Sequence, residues 1–169
     1  MLFDRRVDLY KKSKGLYLLW EKNKSHLLDH DKNKIFGAND LFFMWLTNNG
    51  FLYKVGPVIN TMLSDNENHE RFLLKLEEIE GLSKEIKFAF SRSEKNDISL
   101  FVHLYGELLG LMYKYQIALS KERETNKMFQ NQIKISEVSL EETRLEVINK
   151  INELNSVFQK IEWINYLRK

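Results

Sequence analysis

Cysteine is absent from this 169-residue chain. Disulfides, thiolate nucleophiles and cysteine-based zinc sites are therefore excluded together, and a reducing cytoplasm is the favoured setting. Proline occurs once, at Pro57, glycine occurs seven times, and residues 111–169 contain neither. Residue types that end helices are scarce, so composition alone predicts an all-α chain. Long uncharged apolar runs are missing too. The best membrane candidate, residues 98–119, is interrupted by His103, Glu107 and Lys114, and a charge near the bilayer centre costs about 2.5–3.5 kcal/mol on insertion scales. It reads as a buried helix, and membrane contact is not expected. Charges recur through the first fourteen residues, leaving no apolar stretch of the secretory type, so the start reads as a cytoplasmic one.

Neither sign of charge dominates. Lys plus Arg number 26 and Asp plus Glu 24, which gives no reason to expect nucleic acid or an anionic membrane as the main ligand. The distribution is uneven, with nine basic and five acidic residues in 1–34 against six and nine in 65–97. Such excesses act over about 8 Å at physiological salt and orient a partner better than they hold one.

What is present is apolar surface, 43% of residues with 12% aromatic, enough for a real core. The pattern predicts a helical bundle over residues 1–119, extended by a long, coiled-coil-like helical arm or α-hairpin over 120–169 that packs on the bundle or on a partner. In the first helix, 4–28, Val7, Tyr10, Tyr17, Trp20 and Leu27 recur at roughly helical spacing. Asn39 or Asp40 can cap a short apolar helix, 41–47, which Asn48-Asn49-Gly50 would end through left-handed conformations. Gly56-Pro57 suits a helix start. Asp65 or Asn66 caps the next segment, whose apolar stripe is Phe72, Leu73, Leu76, Ile79, Leu82, Ile86 and Phe90. Asp97 caps the most apolar helix, with Phe101, Leu104, Leu108, Met112, Tyr115 and Leu119 at i, i+3, i+4 spacing, so that helix belongs at the middle of the bundle. On one face of it, Gly106 and Gly110 permit close approach of a neighbour. Residues 120–127 have no apolar side chain and form a turn or a projecting length of helix. Ser139 and Glu142 have capping-box spacing, which predicts a break at 136–139. In the last helix, about 140–167, apolar residues repeat every four and three positions.

Three groups could carry chemistry. Asp29, Asp31, Asn33 and Asp40 place oxygens at positions one, three, five and twelve of a calcium loop, an EF-hand arrangement. Lys34 stands where that loop needs glycine, and Asp40 is one methylene shorter than the usual glutamate, so an ordinary helix connection is the simpler reading. His26 and His30 have the four-residue spacing of a two-histidine zinc site but no evident third ligand. His103 and Glu107, one turn apart, are expected to pair within the core, an arrangement that is commonly structural though it can serve acid–base chemistry. His69, beside Glu67 and Glu70, is expected on a polar helix start.

These signals predict a noncatalytic protein-interaction module, an adaptor, inhibitor or assembly factor, with no cofactor. Val147, Ile151, Leu154, Phe158, Ile161 and Ile164 would dock on a partner helix or on a second copy as a homodimer, unless the arm folds back to complete the chain's own core. One alternative is a nucleic-acid-binding regulator in which Arg5, Arg6, Lys11, Lys12 and Lys14 neutralise phosphates while Tyr10, Tyr17 and Trp20 stack bases. A further alternative is a metal-binding sensor using the loop at 29–40.

Overall fold

The computed structural model describes the backbone of residues 2–29, 32–61, 65–90, 96–128 and 133–163, and the side chains of 4–29, 38–61, 65–90, 96–123 and 140–163. Five α-helices follow in order: α1 (Leu2–Leu28), α2 (Lys32–Leu46), α3 (Asn66–Ala89), α4 (Asp97–Met128) and α5 (Ile133–Phe158). A short 3-10 helix, Tyr53–Asn60, links α2 to α3, and no strand occurs among the described residues. The chain is an all-α helical bundle.

Helix α4 lies at its centre. Phe101, Val102, Leu104, Tyr105, Leu108, Leu109, Met112 and Tyr115 are all buried, more than one amphipathic stripe can account for, so the helix needs neighbours on several sides. Helices α3 and α5 flank it. Against α3, Ser83 Oγ donates to Ser99 O at 2.9 Å and Ser99 Oγ donates to Ser83 O at 2.8 Å. Against α5, Lys150 meets Glu107 at 2.9 Å and Lys114 meets Glu146 at 2.9 Å. Residue 107 lies beside 150 and residue 114 beside 146, so α4 and α5 form an antiparallel hairpin. Helices α1 and α2 also pack on α4. There, Tyr105 Oη donates to Leu46 O at 2.6 Å, and Asn39 Nδ2 donates to Met112 O and Gln116 Oε1, both at 3.0 Å.

Several local signals resolved differently from the expectation. Asp65 does cap α3, accepting from the Asn68 amide at 3.2 Å. For α4 the cap is Asn96 instead of Asp97: its Oδ1 accepts from the Ser99 amide at 3.0 Å while its Nδ2 donates to Ile86 O at 3.2 Å, closing the α3–α4 turn as well. Asn39 spends its amide on α4 and so does not act as a cap. No residue with positive φ ends α2. Instead Asn49 Oδ1 accepts from the amides of Phe51 and Leu52 at 3.0 and 2.9 Å, an Asx turn that needs no left-handed residue. Pro57 lies inside the 3-10 helix, not at its start. The break expected at 136–139 is absent, because α5 is already running at Ile133 and continues through it.

Gly106 is where α3 comes closest to α4: a Cβ there would stand 2.9 Å from Ile79 Cγ2, and one at Gly110 would stand 3.6 Å from Leu76 Cδ1. At Gly81, on α3, a Cβ would meet nothing within 4 Å. These two sites make opposite predictions. Gly106→Leu should destabilise the fold by about 2 kcal/mol or more through overpacking, whereas Gly81→Ala, measured in dilute solution, should stabilise it by about 0.5–1 kcal/mol through helix propensity. Thermal and urea unfolding of the two variants check the pair.

Candidate functional site

The basic N-terminal helix has most of its cations and rings engaged within the chain. Arg5 reaches Glu85 of α3 at 2.6 Å, and Lys12 reaches Asp8 at 3.1 Å. The Arg6 guanidinium lies 5.9 Å from the Phe90 ring centroid. Lys14 sits 4.4 Å from the Tyr17 ring and 4.5 Å from the Trp163 ring, a cation–π clamp. Lys11 is exposed. Trp20 is fully buried, Tyr17 stacks on Phe158 at 4.5 Å, and Tyr10 meets Trp163 edge-on at 5.4 Å. Tyr10 and Tyr17 thus hold α1 onto Phe158 at the end of α5 and onto Trp163 beyond it, while Trp20 is spent in the core. The nucleic-acid reading of Arg5, Arg6, Lys11, Lys12 and Lys14 therefore gains no stacking platform from Tyr10, Tyr17 and Trp20.

The arm's apolar stripe is also internal. Val147, Ile151, Leu154, Phe158 and Ile161 are all buried in the same core as Leu16, Trp20 and Phe101; Ile164 lies outside the described residues. Side chains already packed against α1 and α4 cannot dock on a partner without opening the fold, so the docking set expected from the sequence becomes the scaffold.

Neither metal reading gains geometry. The backbone from Lys32 is helical, with one kinked residue at Ala38 (φ −136°, ψ 16°). A calcium loop instead needs a sharp turn that converges its oxygens. Asp29 is exposed and Asp40 half-buried, while the side chains of Asp31 and Asn33 lie outside the described residues. Among the described residues, no group of three or more His, Cys, Asp or Glu could hold a metal ion. His26 packs on Trp45 at 5.3 Å, and His30 lies outside the described residues.

His103 and Glu107 do not sit in the core. They lie half-exposed on the outer face of α4, inside a charged chain that spans three helices. His103 Nδ1 is 2.6 Å from Glu80 Oε2 on α3, and its Nε2 is 3.5 Å from Glu107 Oε1. Glu80 also reaches Lys84 at 3.3 Å, and Lys150 bridges Glu107 and Glu153 at 2.9 and 2.7 Å. The hydrogen bond from His103 holds the Glu80 carboxyl below its usual value, against the opposing effect of partial burial. His69 is half-buried against Tyr113, its Nδ1 in contact with the phenol.

The strongest perturbations point away from acid–base work. Burial drives the Tyr115 phenol up to about 12 and Tyr105 well above its usual value, fixing both as neutral hydroxyls. At the same level the buried Arg144 forks onto Glu141, Nε to Oε2 at 2.8 Å, a pairing that raises its pKa further. A cleft of about 190 Å³ between α1 and α3 is lined by Arg5, Asp8, Lys12, Phe51, Glu78 and Glu85. It is smaller than ordinary ligand pockets, which run to about 300–1,000 Å³. Its charges pair off, Arg5 with Glu85, Lys12 with Asp8, and Glu78 with Lys75.

The outer face of α3 was missed by sequence reasoning. Leu73, placed there in the core stripe, is 55% exposed; Leu74 is 57% and Phe88 87% exposed. The buried face of the same helix, Phe72, Ile79, Leu82 and Ile86, is complete without them. The signal was available in the seven-residue spacing of Leu74, Gly81 and Phe88, which keeps all three on one side of the helix. No protein-family model matches the chain, and no curated protein or solved structure matches it either.

Two outcomes follow. Leu154→Glu should abolish cooperative unfolding altogether, since it places a charge in a fully buried site; far-UV circular dichroism during a urea titration reads this. For Glu80, the folded-state pKa lies below the usual 4.5, so the stability it contributes is present above that value and is lost as pH falls through the folded pKa. Glu80→Gln should therefore flatten the acid side of the melting temperature against pH profile below about pH 5.

Proposed function

We propose that this chain is a noncatalytic protein-interaction module, an adaptor, inhibitor or assembly factor that presents helix faces on a self-contained core. The observation that carries this reading is the solvent face of α3. A phenyl ring at 87% exposure, with two leucines more than half exposed on the same helix, adds nothing to a core whose own face of α3 is already filled. Apolar residues held on the surface of a rigid element are what a docking face requires. Support also comes from the state of the titratable groups: the phenols that burial perturbs most are held neutral, and the charged groups lining the α1–α3 cleft are paired with one another. The role given to α5 in this reading is to brace the bundle.

A photo-activated benzophenone side chain placed at position 88 tests the proposal in cells that make the chain natively. A discrete protein adduct should form on irradiation from position 88 and from position 74, and not from exposed Lys121 on α4. Failure to form an adduct at either α3 position would sink the reading.

A further inference from the structure

We infer that the Asn49-Gly50 step is a site of spontaneous covalent modification, at which the folded chain converts its asparagine to aspartate and isoaspartate. The site is separate from the docking face of α3. Asn49 is the only asparagine of the chain that glycine follows. A glycine amide is the least hindered of backbone nucleophiles, because no Cβ shields it. Gly50 is exposed, and a Cβ there would meet nothing within 4 Å. Among the described residues no acceptor holds its N–H, so nothing in the turn competes with solvent base for that proton.

The turn also prepares the electrophile. Asn49 Oδ1 accepts from the amides of Phe51 and Leu52 at 3.0 and 2.9 Å, which folds the carboxamide forward along the chain, over the Gly50 peptide. Its Nδ2 lies 3.4 Å from where a Cβ at Gly15 would stand, so the group rests against α1 and swings little. When the Gly50 nitrogen, having lost its proton to base, bonds to Asn49 Cγ, negative charge develops on Oδ1. Two N–H groups already aim at that oxygen, the arrangement of an oxyanion hole. The Cγ–Nδ2 bond then breaks, Nδ2 takes a proton from water and leaves as ammonia, and a cyclic imide remains. Water opens the imide at either carbonyl. One opening gives aspartate and the other isoaspartate, whose backbone runs through the former side chain. A water is consumed and an ammonia released, with no change of oxidation state.

The two products act differently on the fold. Asn49 O accepts from the amides of Leu52 and Tyr53 at 3.2 and 2.8 Å, so both oxygens of this residue start the link into the 3-10 helix. Aspartate keeps both acceptors. Isoaspartate exchanges them: the former Oδ1 becomes the backbone carbonyl oxygen, the former carbonyl becomes a pendant carboxylate, and neither stays where the amides point. The backbone also lengthens just ahead of Phe51, in the wall of the α1–α3 cleft, and of the fully buried Leu52. The modification is therefore a slow, one-way loosening of the connection between α2 and α3.

Incubation of the full chain at mildly alkaline pH, followed by peptide mapping with mass detection, tests the inference. Residue 49 should gain the mass of a hydroxyl exchanged for an amino group, ammonia should appear in equal amount, and the rate should rise with pH. The rate in the folded chain should lie within about tenfold of that in the same chain unfolded in urea, or above it. Gly50→Ala, which the open space and the absence of positive φ accommodate, should slow conversion about tenfold. Asn49→Asp should melt with the wild type, and the isolated isoaspartate form about 2–4 °C lower or more. No conversion at residue 49 in the folded chain overturns the inference, as does a folded rate further below the urea rate, which would mean that the turn protects the asparagine. An isoaspartate form that melts with the wild type overturns the loosening.

Discussion

Helix α4 is too apolar to stand in water on any but one narrow side, and the rest of the fold exists to cover it. Its exposed positions, among them Leu100, Glu107 and Lys114, form a narrow strip bordered by half-buried residues such as His103, Gly110 and Leu111, and the opposite side is buried. Burying each large apolar side chain stabilises by about 1.5–3 kcal/mol, and α4 supplies more of them than two neighbours could cover. Helix α3 takes one side, entering closely because Gly106 leaves room for Ile79. Helix α5 takes the other, and α1 and α2 close the inner face.

Polar contacts then set the register that hydrophobic burial leaves loose. The reciprocal serine pair and the two-way hydrogen bonding of Asn96 fix α3 against α4. The Tyr105 hydroxyl and the Asn39 amide do the same for α2 at two levels of α4. All are short-range and directional, so sliding a helix by one turn would leave buried groups unpaired, at about 1–3 kcal/mol each. On the outer face the Glu80–His103–Glu107–Lys150 chain ties three helices together, but Glu80, His103 and Glu107 are each about 40% exposed, so each pair adds little in stability.

The fold class was legible because helix breakers are rare and apolar periodicity is strong, and the central place of α4 followed from its unusually apolar face. Direction of the last helix was not. Residues 120–127 are equally consistent with a projecting helix and a hairpin, since polar good helix formers serve both. Whether Val147 and Leu154 meet a partner or the chain's own Trp20 and Phe101 depends on distance in space, which spacing does not encode. Local cap signals misled where a tertiary bond competed: Asn96 won over Asp97 through its reach to Ile86, and Asn39 was drawn to Met112. The outer face of α3 escaped notice because Leu73 was counted with the core stripe, and Phe88 and Leu74 fell off it.

A scaffold whose apolar helix is sealed from every inward side keeps its spare hydrophobic surface at outward positions, of which Phe88 of α3 is the most exposed. The bundle depends on α5 being one of its integral walls. Native-state hydrogen exchange in dilute solution tests this most directly. Amides of α5 between residues 147 and 158 should exchange with the same opening free energy as those of α4 between 101 and 115, that of global unfolding. Exchange of α5 by a separate opening, several kcal/mol easier than that of α4, would contradict it.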